Sequence, residues 1–164
     1  MKFEIAIADA ITIDDAELFG LLNEVYVGGG YTKAEEAHTI FEPQAVRGRG
    51  VLIAARAEET STLVGMVILV PADSHACRMA KHNEAELHLL GVKREYRRFG
   101  LGRMLVNAAI EKAHQSGYTK LILWTQISMD AARRLYESIG FIHVDNFERN
   151  RRHFKIYEMR LGAH

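Results

Sequence analysis

Between a leucine-rich run and a long alanine-rich segment the chain carries RRFGLG, Arg97 to Gly102. Gly100 and Gly102 remove the Cβ atoms that would keep an anion away from the backbone, and Arg97 and Arg98 can add charge-assisted donors. If the segment that follows is a helix, its first amides and the positive end of its dipole meet at the same spot, which suits a phosphate. An ordinary turn with two permissive glycines fits the local pattern as well. The frame GLGRML keeps only the first two glycines of a dinucleotide fingerprint, since Leu105 stands at the third and no acidic ribose partner follows. No G-x-x-x-x-G-K-[S/T] is present, which sets aside a Walker-type nucleotide triphosphatase.

Other residues with chemical potential read more plainly. His82, Glu84, Glu86 and His88 alternate, so a strand would put all four on one face. They match none of the signature metal spacings, and a solvated or site-lining strand is expected rather than zinc. Tyr136 falls on one helical stripe with Ala132, Leu135 and Ile139, which reads locally as a core tyrosine whose hydroxyl finds a partner. Cys77, the single cysteine, lies in DSHACRMAKHNE without a motif and reads as an incidental loop thiol. It excludes an internal disulfide and fits a reducing cytoplasm. ERNRRH, residues 148–153, reads as a solvated turn, with contact to an anionic substrate as the alternative. GGG at 28–30 reads as a flexible turn whose neighbours Tyr26 and Tyr31 could line an acceptor cleft.

These residues need elements to hold them. Residues 2–8 read as a strand, and Thr12 can cap a helix carrying Leu18, Leu21, Leu22 and Val25 on one face until VGGGYT breaks it. A short helical segment follows around 34–41, then GVLIAARA and TLVGMVILV form a hairpin across the polar turn EETS. AELHLLGV is the next strand, after which Leu101, Met104, Leu105 and Ala108 repeat at helical spacing until Gly117. KLILWTQ is a strand, Ser128 caps a helix that Gly140 ends, and FIHVD and FKIYEMRL are the last two strands.

With 164 residues, 48% of them hydrophobic, and no Pro/Gly/Ser-rich linker, the sequence fits one domain with a full core. Lys plus Arg and Asp plus Glu each number 21, so overall charge draws the chain neither to nucleic acid nor to an anionic membrane. MKFEIAIADA alternates charged and apolar residues like a strand and not a signal peptide, and LVGMVILV is far too short to span a bilayer.

RRFGLG fits the R/Q-x-x-G-x-G/A loop of the GNAT superfamily of acyl-CoA-dependent N-acyltransferases. EAELHLLGV before it and AARRLYESIGF after it resemble that family's flanking strand and second motif, and the order of elements is similar along essentially the whole chain. The resemblance implies one α/β (α+β) domain over residues 1–164, a mixed, mostly antiparallel, splayed sheet flanked by helices. It implies a cytoplasmic N-acetyltransferase using acetyl-CoA as co-substrate, without metal, nucleic acid or membrane; a monomer or a homodimer is left open. By the same resemblance, Arg97, Arg98, Phe99, Gly100, Leu101, Gly102 and Arg103 would cradle the CoA pyrophosphate. Unpaired backbone at Leu90, Gly91 and Val92 would pair with the pantetheine amides like an added strand. The Leu90 N–H would polarise the thioester carbonyl.

An alkylammonium must lose a proton before it attacks a thioester. Resemblance implies Glu86 as the base, acting through water, with a carboxylate that merely orients the amine as the alternative and His88 as the substitute base. Tyr136 occupies the family's general-acid position, where it would protonate the leaving thiolate. Met129 stands where many members have an asparagine that fixes the pantetheine arm, and Ser128 is the expected substitute. The acceptor is expected to be a small primary amine; a protein or peptide amine, and a non-catalytic acyl-CoA sensor, are the alternatives.

Overall fold

The computed structural model describes residues 1–8 and 11–162. Among them the order is β1 (Phe3–Ile7), α1 (Asp15–Leu22) continued by a π-helical turn (Asn23–Val27), α2 (Ala34–Ile40), α3 (Pro43–Arg47), β2 (Val51–Ala57) and β3 (Leu63–Pro71). Then come β4 (Glu84–Val92), a 3₁₀ turn (Arg94–Tyr96), α4 (Leu101–Gln115), β5 (Lys120–Gln126), α5 (Asp130–Ile139), β6 (Ile142–Arg149) and β7 (Arg152–Arg160). The strands form one sheet in the order β1-β2-β3-β4-β5-β7-β6. All neighbours are antiparallel except β4 and β5. The expected mixed, mostly antiparallel sheet is therefore present.

Helices cover both faces, so the inner strands are apolar on both sides. Along β2, Ile53, Ala55 and Ala57 join one buried cluster while Leu52 and Ala54 join the other, as a two-residue period requires. Leu101, Leu105, Val106, Ala109 and Ala113 of α4 pack into the first cluster. Leu18, Leu21 and Leu22 of α1, with Phe41 and Val46, fill the second. Of the stripe expected on α4, Leu101 and Leu105 are buried but Met104 is 40% exposed.

Three local expectations are corrected. Thr12 does not cap α1: Asp14 does, accepting from the Glu17 N–H while the Glu17 carboxylate accepts from the Asp14 N–H, a reciprocal capping box. The Thr12 carbonyl accepts from Arg56 instead. Ser128 does not cap α5 either, whose N-cap is Met129, without a side-chain cap. The five-residue helix α3 was not expected, although Glu42 caps it, Pro43 opens it and Gly48 follows it.

The last hairpin turns at Asn150 and Arg151, both in the left-handed region. Its outer strand β6 is exposed along most of its length, with Ile142 and Val144 facing solvent. Its register slips between His143 and Asp145, leaving a bulge at Val144.

Candidate active site

The parallel pairing of β4 and β5 covers only Glu84–Glu86 against Lys120–Ile122. Beyond it the strands part: β5 continues against β7 as far as Gln126, while β4 runs on to Val92 against β3 alone. In that second half β4 is bulged. Met66 lies opposite Gly91 and Ile68 opposite His88, so Leu89 and Leu90 share the space of Val67, and Leu89 has φ +55°. A cavity of about 140 Å³ occupies the split, lined among others by Tyr26, His88, Leu90, Trp124, Met129 and Tyr136.

Glu86 sits behind this cavity, wholly buried. Its carboxylate accepts from the backbone N–H groups of Arg78 at 3.0 Å, Met79 at 2.5 Å and Ala80 at 2.8 Å. The Cys77 thiol lies 3.3 Å from it and His88 Nε2 2.8 Å. Burial pushes the carboxyl pKa up, but the bonds from His88, Ala80, Met79 and Cys77 outweigh it and bring it down to about 2. Cys77 is thus no incidental thiol but part of this nest. Burial, then the bond to Glu86, push the thiol pKa up, against use as a nucleophile.

His88 is 5% exposed and stands between an anion and a cation. Arg49 Nη1 lies 2.9 Å from its Nδ1. A guanidinium can only donate, so Nδ1 accepts, and Nε2 carries the proton it donates to Glu86. The Trp124 ring meets the imidazole edge-to-face at 5.1 Å. Glu86 therefore fixes the tautomer and orientation of His88 and leaves the Nδ1 lone pair to Arg49.

Tyr136 is 7% exposed, packed edge-to-face on Phe141 at 5.8 Å with Tyr157 below it. Its hydroxyl makes no hydrogen bond among the described residues, yet no buried side-chain polar atom there lacks a partner, so the hydroxyl opens on the cavity. Burial, then Tyr26, raise its pKa, which keeps it protonated. Tyr157 instead donates to Glu137 at 2.5 Å. Tyr136's ring belongs to the core, as its helical stripe suggests, but its hydroxyl finds no partner there, whereas that of Tyr157 does.

Backbone around Leu90 is held from the other side. The π-helical turn brings Tyr26 Oη to 2.9 Å from the Leu90 carbonyl and Glu24 to the Arg94 N–H at 3.1 Å. Val25 of the same turn packs on Gly91, where an added Cβ would stand 3.3 Å from Val25 Cγ2. Arg97 folds back, donating from Nε to the Val92 carbonyl at 3.1 Å. The carbonyls of Leu90 and Val92 thus have internal donors.

RRFGLG is the loop that starts α4, as its composition suggests. Gly100 is the N-cap, with φ +76° and open space around its Cα, and no side chain caps the helix. Arg98 is also left-handed, at φ +73°. Gly102 has a different reason to be glycine: a Cβ there would stand 3.1 Å from Leu135 of α5. Phe99 is exposed, edge-to-face with Phe3, and Arg103 donates to Ser138 at 2.6 Å.

The structure thus brings His88, Leu90 and Tyr136 to one cavity and puts Glu86 behind His88. Met129, not the exposed Ser128, reaches the cavity, with the Thr125 hydroxyl 3.3 Å from its sulfur. Arg49 and Trp124 escaped the sequence reading. Arg49 follows α3, whose start and stop signals were there to be read.

The profile of the Acetyltransferase (GNAT) family matches residues 16–141. The chain belongs to this family. Among relatives, N-acetyltransferase family 8 member 3 of Rattus norvegicus is 31% identical over 91 residues, 56% of this chain and 39% of that protein. Mycothiol acetyltransferase of Kocuria rhizophila is 31% identical over 122 residues, 71% of this chain and 36% of that protein. The chain thus matches well under half the length of these relatives. In fold it resembles the ribosomal-protein-S18-alanine N-acetyltransferase of Escherichia coli, at 19% identity and TM-score 0.73 over 99% of this chain and 96% of that one. It also resembles a Bacillus subtilis acetyltransferase crystallised with CoA, at 20% identity and TM-score 0.68 over 98% and 99%. No helix among the described residues is long and apolar enough to cross a membrane.

Proposed function

We propose that this GNAT domain transfers an acetyl group from acetyl-CoA to the primary amine of a small molecule, both bound at once in the split between β4 and β5. The observation that carries this reading is the cavity itself, where a partnerless tyrosine hydroxyl, an oriented histidine and the part of β4 that β5 leaves uncovered converge. The chain's own features fit an acyl-CoA: an uncapped α4 N-terminus with a left-handed glycine suits its phosphates, and the stretch of β4 beyond Glu86 that β5 leaves uncovered suits an amide-bearing arm, though the Leu90 and Val92 carbonyls already accept from Tyr26 and Arg97. The residues that would hold it are Leu90, Gly91 and Val92 along the strand and Arg97 to Arg103 in the loop. Acetyl-CoA supplies the activated acetyl group.

Within this reading His88, rather than Glu86, takes the amine's proton. Glu86 is acidic and saturated with donors, so it has no lone pair to spare and little basicity. It acts through His88, as a carboxylate that keeps Nε2 protonated and so leaves Nδ1 as the acceptor nitrogen, bonded to Arg49 in this state. The Leu90 N–H stabilises charge on the carbonyl oxygen, and Tyr136 Oη gives its proton to the departing thiolate. Three substrate-free features support a catalyst over an acyl-CoA sensor: Glu86, His88 and Tyr136 are all in place. The cytoplasm, where acetyl-CoA and a free thiol coexist, is the setting proposed.

Thiol release from acetyl-CoA, measured against amines, amino acids, polyamines, aminoglycosides and peptides, tests the reading. Turnover confined to small amines supports it. Turnover of peptides alone moves the acceptor to a protein, and CoA binding with no turnover of any member rejects catalysis.

A further inference from the structure

A second cavity, of about 560 Å³, opens beside the split on the side of α2 and α3. It adjoins the first, since Arg49, Trp124, Gln126 and Phe154 line both. Its walls come from the segment after the π-helical turn, the loop before β4 and the turn between β6 and β7. They carry Lys33, Arg49, Arg78, Arg149 and Arg152 against one carboxylate, Glu36. Four cations elsewhere pair with carboxylates: Arg47 with Asp15, Arg56 with Glu17, Lys120 with Glu84 and Glu158, Arg133 with Asp130. None of the five cavity cations pairs with a carboxylate among the described residues. Arg49 is engaged by the His88 imidazole, and Arg152 by Gln126 Oε1 at 3.1 Å. In a chain whose formal charge is zero, this is a local concentration of positive charge at a concave surface, which focuses an attractive field on anions. Burial, then the charge of Arg78, depress the Arg49 pKa, as expected of neighbouring cations without a counterion.

We infer that the acceptor is an amine that also bears an anionic group, a carboxylate or a phosphate, held by Arg49, Arg78 and Arg152 while its nitrogen lies at His88. This rests on the acetyl-transfer reading above and names the acceptor's class. Arg49 then has two states. Without acceptor its Nη1 bonds His88 Nδ1; an anion that takes the guanidinium releases that lone pair where the ammonium arrives. The ammonium N–H bond breaks and its proton passes to Nδ1. The freed nitrogen pair forms the N–C bond, the C–S bond breaks, the thiolate takes the Tyr136 proton, and the second proton that the acylated nitrogen sheds restores the Tyr136 hydroxyl. A neutral amine or a polycation offers Arg49 nothing and leaves Nδ1 engaged.

Calorimetry with desulfo-CoA saturating the phosphate loop, titrating malonate or inorganic phosphate, reads the anion site without turnover. Saturable binding is expected, weakened about 10- to 100-fold in Arg49→Gln/Arg78→Gln and unchanged in Lys2→Gln at the far edge of the sheet. Desulfo-CoA binding reports that each variant is folded, and Arg152→Gln, which should weaken binding on its own, serves if the double variant is not. In turnover, amino acids and O-phosphoethanolamine should exceed the amino-acid carboxamides and ethanolamine at least about 10-fold in kcat/KM. Absent anion binding, or equal affinity in all variants, overturns the inference, as does turnover that favours polyamines. Malonate binding as expected with no amine acetylated would reject the transfer reading and leave the anion site standing. If phosphate and O-phosphoethanolamine outrank the carboxylates the anion is a phosphate, and the reverse order makes it a carboxylate.

Discussion

Tyr136 and His88 give the sharpest expectations, because among the described residues the Tyr136 hydroxyl has no partner and both His88 ring nitrogens have defined ones. Tyr136→Phe removes a hydroxyl that no protein group leans on, so no acceptor is stranded and the melting temperature should hold. Single-turnover rates should fall about 10²- to 10⁴-fold, with CoA affinity nearly unchanged; full single-turnover activity would reject the acid role. His88→Gln should lower kcat/KM about 10²-fold or more. Glu86 cannot serve as a base near neutrality, because its folded-state carboxyl titrates near 2. Its depressed pKa has a stability consequence instead. The unfolded carboxyl titrates near 4.3, so the stabilisation, about 3 kcal/mol, is present above that value and lost as pH falls toward 2. Acid melting curves of wild type and Glu86→Gln should converge only as pH approaches about 2. The sequence identified Glu86, His88 and Tyr136 as neighbours of chemistry, but roles depend on hydrogen-bond partners six to 39 positions away, such as Ala80 and Arg49, which no local spacing reveals.

At the scale of elements, two glycines of one loop have separate duties. Gly100 supplies a left-handed N-cap with room around it, and Gly102 supplies contact between α4 and α5. Gly100→Ala should keep the fold, at a cost of about 1 kcal/mol for the left-handed backbone, and weaken CoA binding as the loop shifts. Gly102→Val should instead loosen α5 against α4 and lower the melting temperature with or without CoA, which differential scanning fluorimetry separates. Most elements were legible because strands with buried faces and helices with clear stops carry strong periodicity. The exceptions were short or irregular: α3 has five residues, too few to show a period, and the π-helical turn is a change of hydrogen-bonding inside a continuous apolar stripe. Those two pieces deliver Arg49 and Tyr26, so what the pattern hid is what shapes the acceptor side.

Across the whole molecule the sheet is two halves joined by three residue pairs, and a ligand lying in the split touches both. CoA at about 100 times its Kd should stabilise the chain by about 2.7 kcal/mol, or roughly 5–10 °C in melting temperature for a domain of this size. A shift below about 1 °C at saturation would mean that the split is not where CoA binds. Fold class was legible at this scale because element order and the three motif segments agreed. The splay was implied by the resemblance alone, since nothing local in LHLLGV or LILWTQ marks where pairing stops.

The bulge at Val144 has a consequence for life at high concentration. An outermost strand eight residues long, with Ile142 and Val144 facing water, is a template on which another copy could add a strand without limit. The slipped register bends that template, and Asp145, Glu148 and Arg149 distribute charge along it. Deleting Val144 would straighten the edge, and light scattering of the otherwise folded protein should then report growing aggregates where the parent chain remains discrete.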